Sequence, residues 1–246
     1  MKKNLNFKKN WDKSYNRLEN YLFYPNEELI KFVNRYVDRR KTLKVKKKNL
    51  TFLDIGCGAG RNLKFLLENG FKVIGVDLSK IAINQSKKLL KFYSFDKSRY
   101  KLLNLTSEYL NFQENSIDYV ISDSALDSMS NSEFLKIIEI IYKILKPKGL
   151  FYLNLINLKK IIQSGKLLNR YDLLISSKHE NQTIQSYFDL KRINKSFKKF
   201  KFLDIYEIIK KNKKKNNLIN KKNNLKKKKN IIFMLNKNEY IRNINK

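Results

Sequence analysis

The stretch Phe52-Leu53-Asp54-Ile55-Gly56-Cys57-Gly58-Ala59-Gly60-Arg61-Asn62 constrains this chain most. The apolar run from Leu50 to Ile55 predicts a buried strand. Glycines at three alternate positions break it, and Leu63, Phe65, Leu66 and Leu67 then give the apolar side of a helix. Strand, glycine-rich turn and helix, in that order, open a nucleotide site in a doubly wound α/β sheet. Glycine tolerates positive φ and lets a ligand approach the main chain. The helix N-terminus adds unpaired N–H donors beside the turn.

The spacing separates cofactor classes. A dinucleotide fingerprint reads G-x-G-x-x-G. Here the run is Gly56-x-Gly58-x-Gly60, with Asp54 ahead of it. A second strand, Phe71 to Val76, ends on Asp77, 17 residues after Gly60. An acid there can accept both hydroxyls of a ribose. These features resemble motif I and the following strand of class I S-adenosylmethionine (SAM) dependent methyltransferases, and the resemblance spans residues 50–156. It implies a Rossmann-like α/β fold. Its seven-stranded, mostly parallel sheet has helices on both faces, and an antiparallel strand seven enters between strands five and six. It implies SAM as cofactor, with Asp54, Gly56, Cys57, Gly58 and Gly60 at its amino acid end. Asp77 would take the ribose hydroxyls, Leu78 would pack on adenine and Ser122 would lie beneath the methyl. A doubly wound domain for another nucleotide, or for none, is the alternative.

Further stretches extend the resemblance and depart from it. Thr106 and Ser107 stand in the adenine-binding loop, where the family usually has Asp in place of Thr106. A hydroxyl accepts from the adenine amino group more weakly than a carboxylate does. Strand four, Asp118 to Ser122, runs into Asp123-Ser124-Ala125-Leu126-Asp127-Ser128-Met129, and ligands bind outside such strand ends. The Asn/Asp-Pro-Pro-aromatic motif of amino-directed DNA and protein-glutamine methyltransferases is absent. Leu126 to Met129 resembles the Leu-Asp/His-His-Met stretch of small-molecule relatives, with Ser128 in place of histidine. Asp127 is therefore a candidate catalytic residue, or else a solvated turn residue. Lys146-Pro147-Lys148-Gly149 resembles the turn that leads the family into strand five, Leu150 to Ile156.

Around this core the chain is read as one domain. Residues 1–49 predict a helical cap. Phe7, Trp11, Tyr15 and Leu18 fall on one helical stripe, and Pro25 starts a helix with Glu27 and Glu28 in its first turn. Trp11, Tyr15 and Tyr24 are substrate-side candidates with Arg61, or else the packing surface of two helices. Residues 157–187 form a substrate-side insert holding His179, the chain's one histidine. Imidazole titrates near neutrality and suits a general base. A structural or surface histidine is the plainer reading. There is no His/Cys cluster, so no metal is expected. Residues 188–246 give a helix beginning near Tyr187, strand six over Phe202 to Ile209, and strand seven over Asn230 to Leu235. Between them 210–229 carries eleven Lys, six Asn and three apolar residues, the composition of a mobile loop.

Charge bears on the partner. The chain of 246 residues carries a formal +32, concentrated in residues 1–50 and 210–229. Basic ends can grip nucleic acid or an anionic membrane. Lys, Asn and Ile are also what an AT-rich genome encodes, and Arg, the bidentate phosphate ligand, is scarce beside Lys. No apolar run reaches the ~18 residues of a membrane span. The start lacks a signal peptide's apolar core, and the lone Cys57 cannot close an intrachain disulfide. Together these point to the cytoplasm. The expected function is SAM-dependent methylation of an oxygen or nitrogen on a small-molecule acceptor, with weak, non-specific binding of nucleic acid. The alternatives are an RNA methyltransferase and a non-catalytic SAM-binding protein.

Overall fold

The structure is a computed structural model and describes residues 7–17, 22–38, 46–106, 110–157, 165–176, 181–212 and 226–237. Two short helices come first, α1 (Phe7–Tyr15) and α2 (Glu27–Phe32), the second running on as a wider π-type turn over Val33–Asp38. Strands and helices then alternate: β1 (Thr51–Ile55), α3 (Arg61–Glu68), β2 (Lys72–Asp77), α4 (Lys80–Phe92), β3 (Tyr100–Asn104), β4 (Ile117–Asp123), α5 (Asn131–Ile144) and β5 (Leu145–Asn157). A small hairpin sheet follows, made of β6 (Gly165–Leu167), β7 (Asp172–Ser176) and β8 (Asn181–Ser186). The described chain closes with α6 (Leu190–Ser196), β9 (Phe200–Asn212) and β10 (Lys226–Lys237).

The main sheet has seven strands in the order β3-β2-β1-β4-β5-β10-β9. The first five pair in parallel, and β10 runs antiparallel to both β5 and β9. This is the expected sheet, with the seventh strand wedged between the fifth and sixth. Alternation along each strand feeds two cores. Leu53, Val120, Phe151 and Leu235 pack toward α5 and α6 on one face. Phe52, Tyr119, Tyr152 and Met234 pack toward α2, α3 and α4 on the other.

Caps fix the helix ends. Asn26 caps α2, Ser79 caps α4 and Asp189 caps α6, each through its own side chain. Ser130 caps α5, and Glu133 closes a reciprocal capping box with it. Strand five is longer than expected: the anticipated turn at 146–149 is an irregularity inside β5, where Lys148 takes a φ of 63°.

Two expectations are corrected. Residues 165–186 hold a three-stranded antiparallel sheet, order β6-β7-β8, that the sequence did not announce. The loop expected over 210–229 gives way at both ends. Lys210–Asn212 belong to β9 and Lys226–Lys229 to β10, paired from Lys226 with Asn212 to Lys229 with Ile209. Ladder bonds use the main chain, so a register set by the apolar part of two strands propagates into polar sequence.

Candidate active site

The site sits where three adjacent parallel strands end. In the order β2, β1, β4 their carboxyl ends carry Asp77, Asp54 and Asp123. Beyond them a cavity of about 490 Å³ opens between the sheet edge, α1 and the hairpin sheet.

Its floor is the glycine turn. The N–H groups of Gly56 and Cys57 both donate to the Val76 carbonyl, at 2.8 and 3.0 Å. Gly58 N–H donates to Asp77 Oδ2 at 2.9 Å, and the Gly58 carbonyl accepts from Ser86 Oγ at 2.8 Å. Gly56 and Gly58 hold φ of 76° and 56°. A Cβ on Gly56 would lie 2.2 Å from the Ala125 Cβ, and one on Gly58 would lie 2.7 Å from Tyr15 Oη. No larger residue fits at either position without displacing a wall of the cavity. Gly60, the left-handed cap of α3, lies outside the lining.

Asp77 faces the cavity. Its second oxygen accepts from Ser79 N–H at 2.8 Å. Burial raises its pKa to about 6, against the pull of the Ser79 and Gly58 N–H groups. Asn104 at the end of β3 donates to the carbonyls of Asp77 and Leu78, holding that corner open. Leu78 and Thr106 line the cavity. Thr106 Oγ1 is buried with no hydrogen-bond partner among the described residues.

Asp54 lies behind the floor, fully buried. Neither carboxyl oxygen closes a hydrogen bond among the described residues. Burial, reinforced by the charge of Asp123, pushes its pKa up to about 8, which Arg61 and Asn62 offset only in part. Asp123 faces the cavity and is gripped on both oxygens, by Arg61 at 2.7 Å and by Asn154 at 2.7 Å.

The roof is α1. Phe7, Trp11 and Tyr15 line the cavity from one side of this helix. Asp12 ties it down: Asp12 Oδ1 accepts from Ser79 Oγ at 2.6 Å and from Ile81 N–H at 3.2 Å, in the first turn of α4. Gln85 Nε2 donates to the Tyr15 carbonyl at 2.7 Å. The Tyr15 hydroxyl is pushed above its ordinary pKa by burial and by Asp77. On the far wall Ile184 of β8 joins Met129, Glu133 and Ile137. The β8 strand is anchored by Ser186 N–H and Gln185 Nε2, both donating to the Asp127 carbonyl, at 2.7 and 3.0 Å.

Some expected residues stand elsewhere. Tyr24 is 80% exposed and does not line the cavity; Leu22, itself exposed, stands at the cavity's rim instead. Ser122 is buried in β4 and does not reach the cavity. Asp127 is fully buried behind the wall, so it is not a solvated turn residue. Ser107 and His179 lie outside the described residues. Sequence reasoning passed over Asp123, although an acid closing a strand is the signal that found Asp77. It also passed over Asp12, whose partner lies 67 residues away and leaves no local signature.

A SAM-like ligand suits this cavity. It has a carboxylate at the end of β2, a glycine cradle that a Cβ would fill, and the unpartnered hydroxyl of Thr106 beside Leu78. Comparison with known proteins agrees. A family model described as a methyltransferase domain matches residues 46–239. An uncharacterised protein of Rickettsia prowazekii is 33% identical over 42% of this chain and 41% of its own length. An uncharacterised methyltransferase of Synechocystis sp. is 31% identical over 41% of this chain and 44% of its own. The chain thus spans under half the length of both relatives. A crystal structure of a SAM-dependent methyltransferase from Methanosarcina mazei superposes with a TM-score of 0.64 at 17% identity, covering 87% of this chain and 98% of that one. The 1,6-didemethyltoxoflavin-N1-methyltransferase of Burkholderia thailandensis, solved with that compound and S-adenosylhomocysteine (SAH), gives 0.55 at 16%, covering 89% and 92%. The chain belongs to the methyltransferase-domain family, with S-adenosylmethionine as its cofactor.

Proposed function

We propose that this protein methylates an oxygen or nitrogen of a small-molecule acceptor. The observation that carries the proposal is the roof: Phe7, Trp11 and Tyr15 of α1, with Leu22 and Ile184, close over the cavity. A site of about 490 Å³ walled in this way suits a compact ligand beside the cofactor, not a polymer lying across the sheet. The Burkholderia relative, which carries a small heterocycle, supports the same reading.

The residues divide the work. Asp77 keeps a lone pair on each oxygen for the ribose hydroxyls. Leu78 and Thr106 flank the adenine, and the turn from Gly56 to Gly58 receives the amino acid end. SAM supplies a methyl already activated by its sulfonium sulfur. What remains for the protein is to align the acceptor and exclude water. Asp123, fixed by Arg61 and Asn154, is the carboxylate positioned to hold an acceptor hydroxyl or amine. In this reading residues 1–49 and 157–187 are the acceptor-side pieces and 50–156 the cofactor core.

The test is transfer of labelled methyl from SAM into a small-metabolite fraction and into total RNA, side by side at physiological salt. Label in a discrete small product is expected. Label at one defined RNA position would overturn the reading and assign the basic segments to substrate capture.

A further inference from the structure

The three carboxylates at the strand ends outnumber their cations. Asp123 has Arg61, and Asp77 has two main-chain N–H groups. Asp54, between them, has no exposure to water and closes no full hydrogen bond among the described residues; only the neighbouring Asn62 side chain and Arg61 favour its charged form. A buried carboxylate in that position is costly unless a positive charge arrives.

We propose that Asp54 is the charge sensor of the cofactor site: protonated in the free protein, it sheds its proton to solvent when the sulfonium form of the cofactor binds, and it keeps that proton when the neutral thioether product binds. The residue thereby selects the methyl-bearing form over the spent one. The inference rests on the cofactor assignment above. The bookkeeping is simple. SAM carries one more positive charge than SAH, at sulfur, and the carboxyl O–H bond of Asp54 breaks to leave the carboxylate and a proton in water.

The surroundings fit. The groups facing Asp54 are Asp123 from β4, Asp77 from β2, Arg61 and Asn62 from α3, Cys57 from the glycine turn and Tyr15 from α1. Burial drives Cys57 and Tyr15 well above their ordinary pKa, so both stay neutral. Among these groups one cation, Arg61, faces three carboxyl groups, while Lys8 of α1 lines the same cavity. The Asp54 carboxyl, with a pKa near 8, is poised so that one added charge nearby tips it. A low-dielectric setting lets that charge act without contact.

The test is calorimetric binding of SAM and of SAH in buffers of different ionisation enthalpy, which counts protons directly. Between about pH 6.5 and about pH 8.5, the SAM affinity should rise about tenfold more than the SAH affinity. SAM should release close to one more proton than SAH near the lower pH. The amino group is common to both ligands, so the difference between them carries the result. Asp54→Asn, isosteric with the neutral carboxyl, should abolish that difference. Equal proton release by both ligands in the wild-type protein would overturn the proposal by itself, whether or not the variant folds. So would a difference that survives in Asp54→Asn. Failure of both ligands to bind would overturn the cofactor assignment, and this inference with it.

Discussion

At the scale of single residues, Asp77 braces the main chain of the glycine turn from the end of β2. Asp77 binds the N–H groups of Gly58 and Ser79, so Asp77→Ala removes both the proposed ribose acceptor and a brace of the glycine turn. A loss of SAM affinity of about 2–4 kcal/mol is expected. Calorimetry reads it directly, and wild-type affinity would refute the role. Asp54 gives a pH signature. Its native pKa near 8 lies far above the ordinary carboxylate value of 3.8. The folded state therefore keeps a proton that the unfolded chain releases. Stability is full below the unfolded pKa and is lost progressively as pH rises from about 4 to about 8, at up to about 1.4 kcal/mol per pH unit. Asp54→Asn should lack this loss. Its stability relative to wild type should climb across that window and level off above it. Urea unfolding at several pH values checks this, and a flat difference would show that Asp54 is ionised in the fold.

At the scale of elements, α1 is held to the site by its own Asp12, which reaches the start of α4, and by Gln85 of α4, which donates to the Tyr15 carbonyl. Asp12 satisfies orphan donors there that Ser79 alone cannot. Asp12→Ala should loosen α1 by about 1 kcal/mol while the sheet keeps its melting temperature. Trp11 is the chain's one tryptophan and lines the cavity, so its emission reports the docking. A red shift without cofactor that SAM reverses is expected, and emission identical to wild type would refute the latch. These elements were unequally legible in the sequence. The Gly56–Gly60 spacing, the apolar strands and the Ser79 cap are local signals, and each names its element. The β6–β8 sheet has no such signal, because short strands such as Asn-Gln-Thr-Ile-Gln-Ser over Asn181–Ser186 gain their order from cross-strand partners. The Lys-rich ends of β9 and β10 escaped for the same reason. Asp123 was readable from its place at the end of β4. The grip of Asn154 on it was not, because that contact exists only once β5 lies beside β4.

At the scale of the whole molecule, a chain of formal charge +32 still sets three carboxylates, Asp77, Asp54 and Asp123, at the strand ends that frame the cavity. Loose adhesion of a polyanion to the surface is the expected outcome, and it should fade as salt approaches physiological strength. Methyl transfer to a small acceptor should change little over the same range. Parallel titrations with salt, one following RNA retention and one following turnover, separate the two; a steep fall in both would tie the substrate to the basic surface. The order of the sheet has a further consequence, for how the protein is made. β10 follows β9 in the chain yet lies between β9 and β5. A ribosome releases the chain from its N-terminus, so β1 to β5 and then β9 emerge before the strand that joins them. Until then β5 keeps one row of main-chain groups open to pairing with any neighbouring nascent chain, while β9 has no neighbour to pair with. The final described strand seals both edges at once, so this sheet closes only after β10 has left the ribosome.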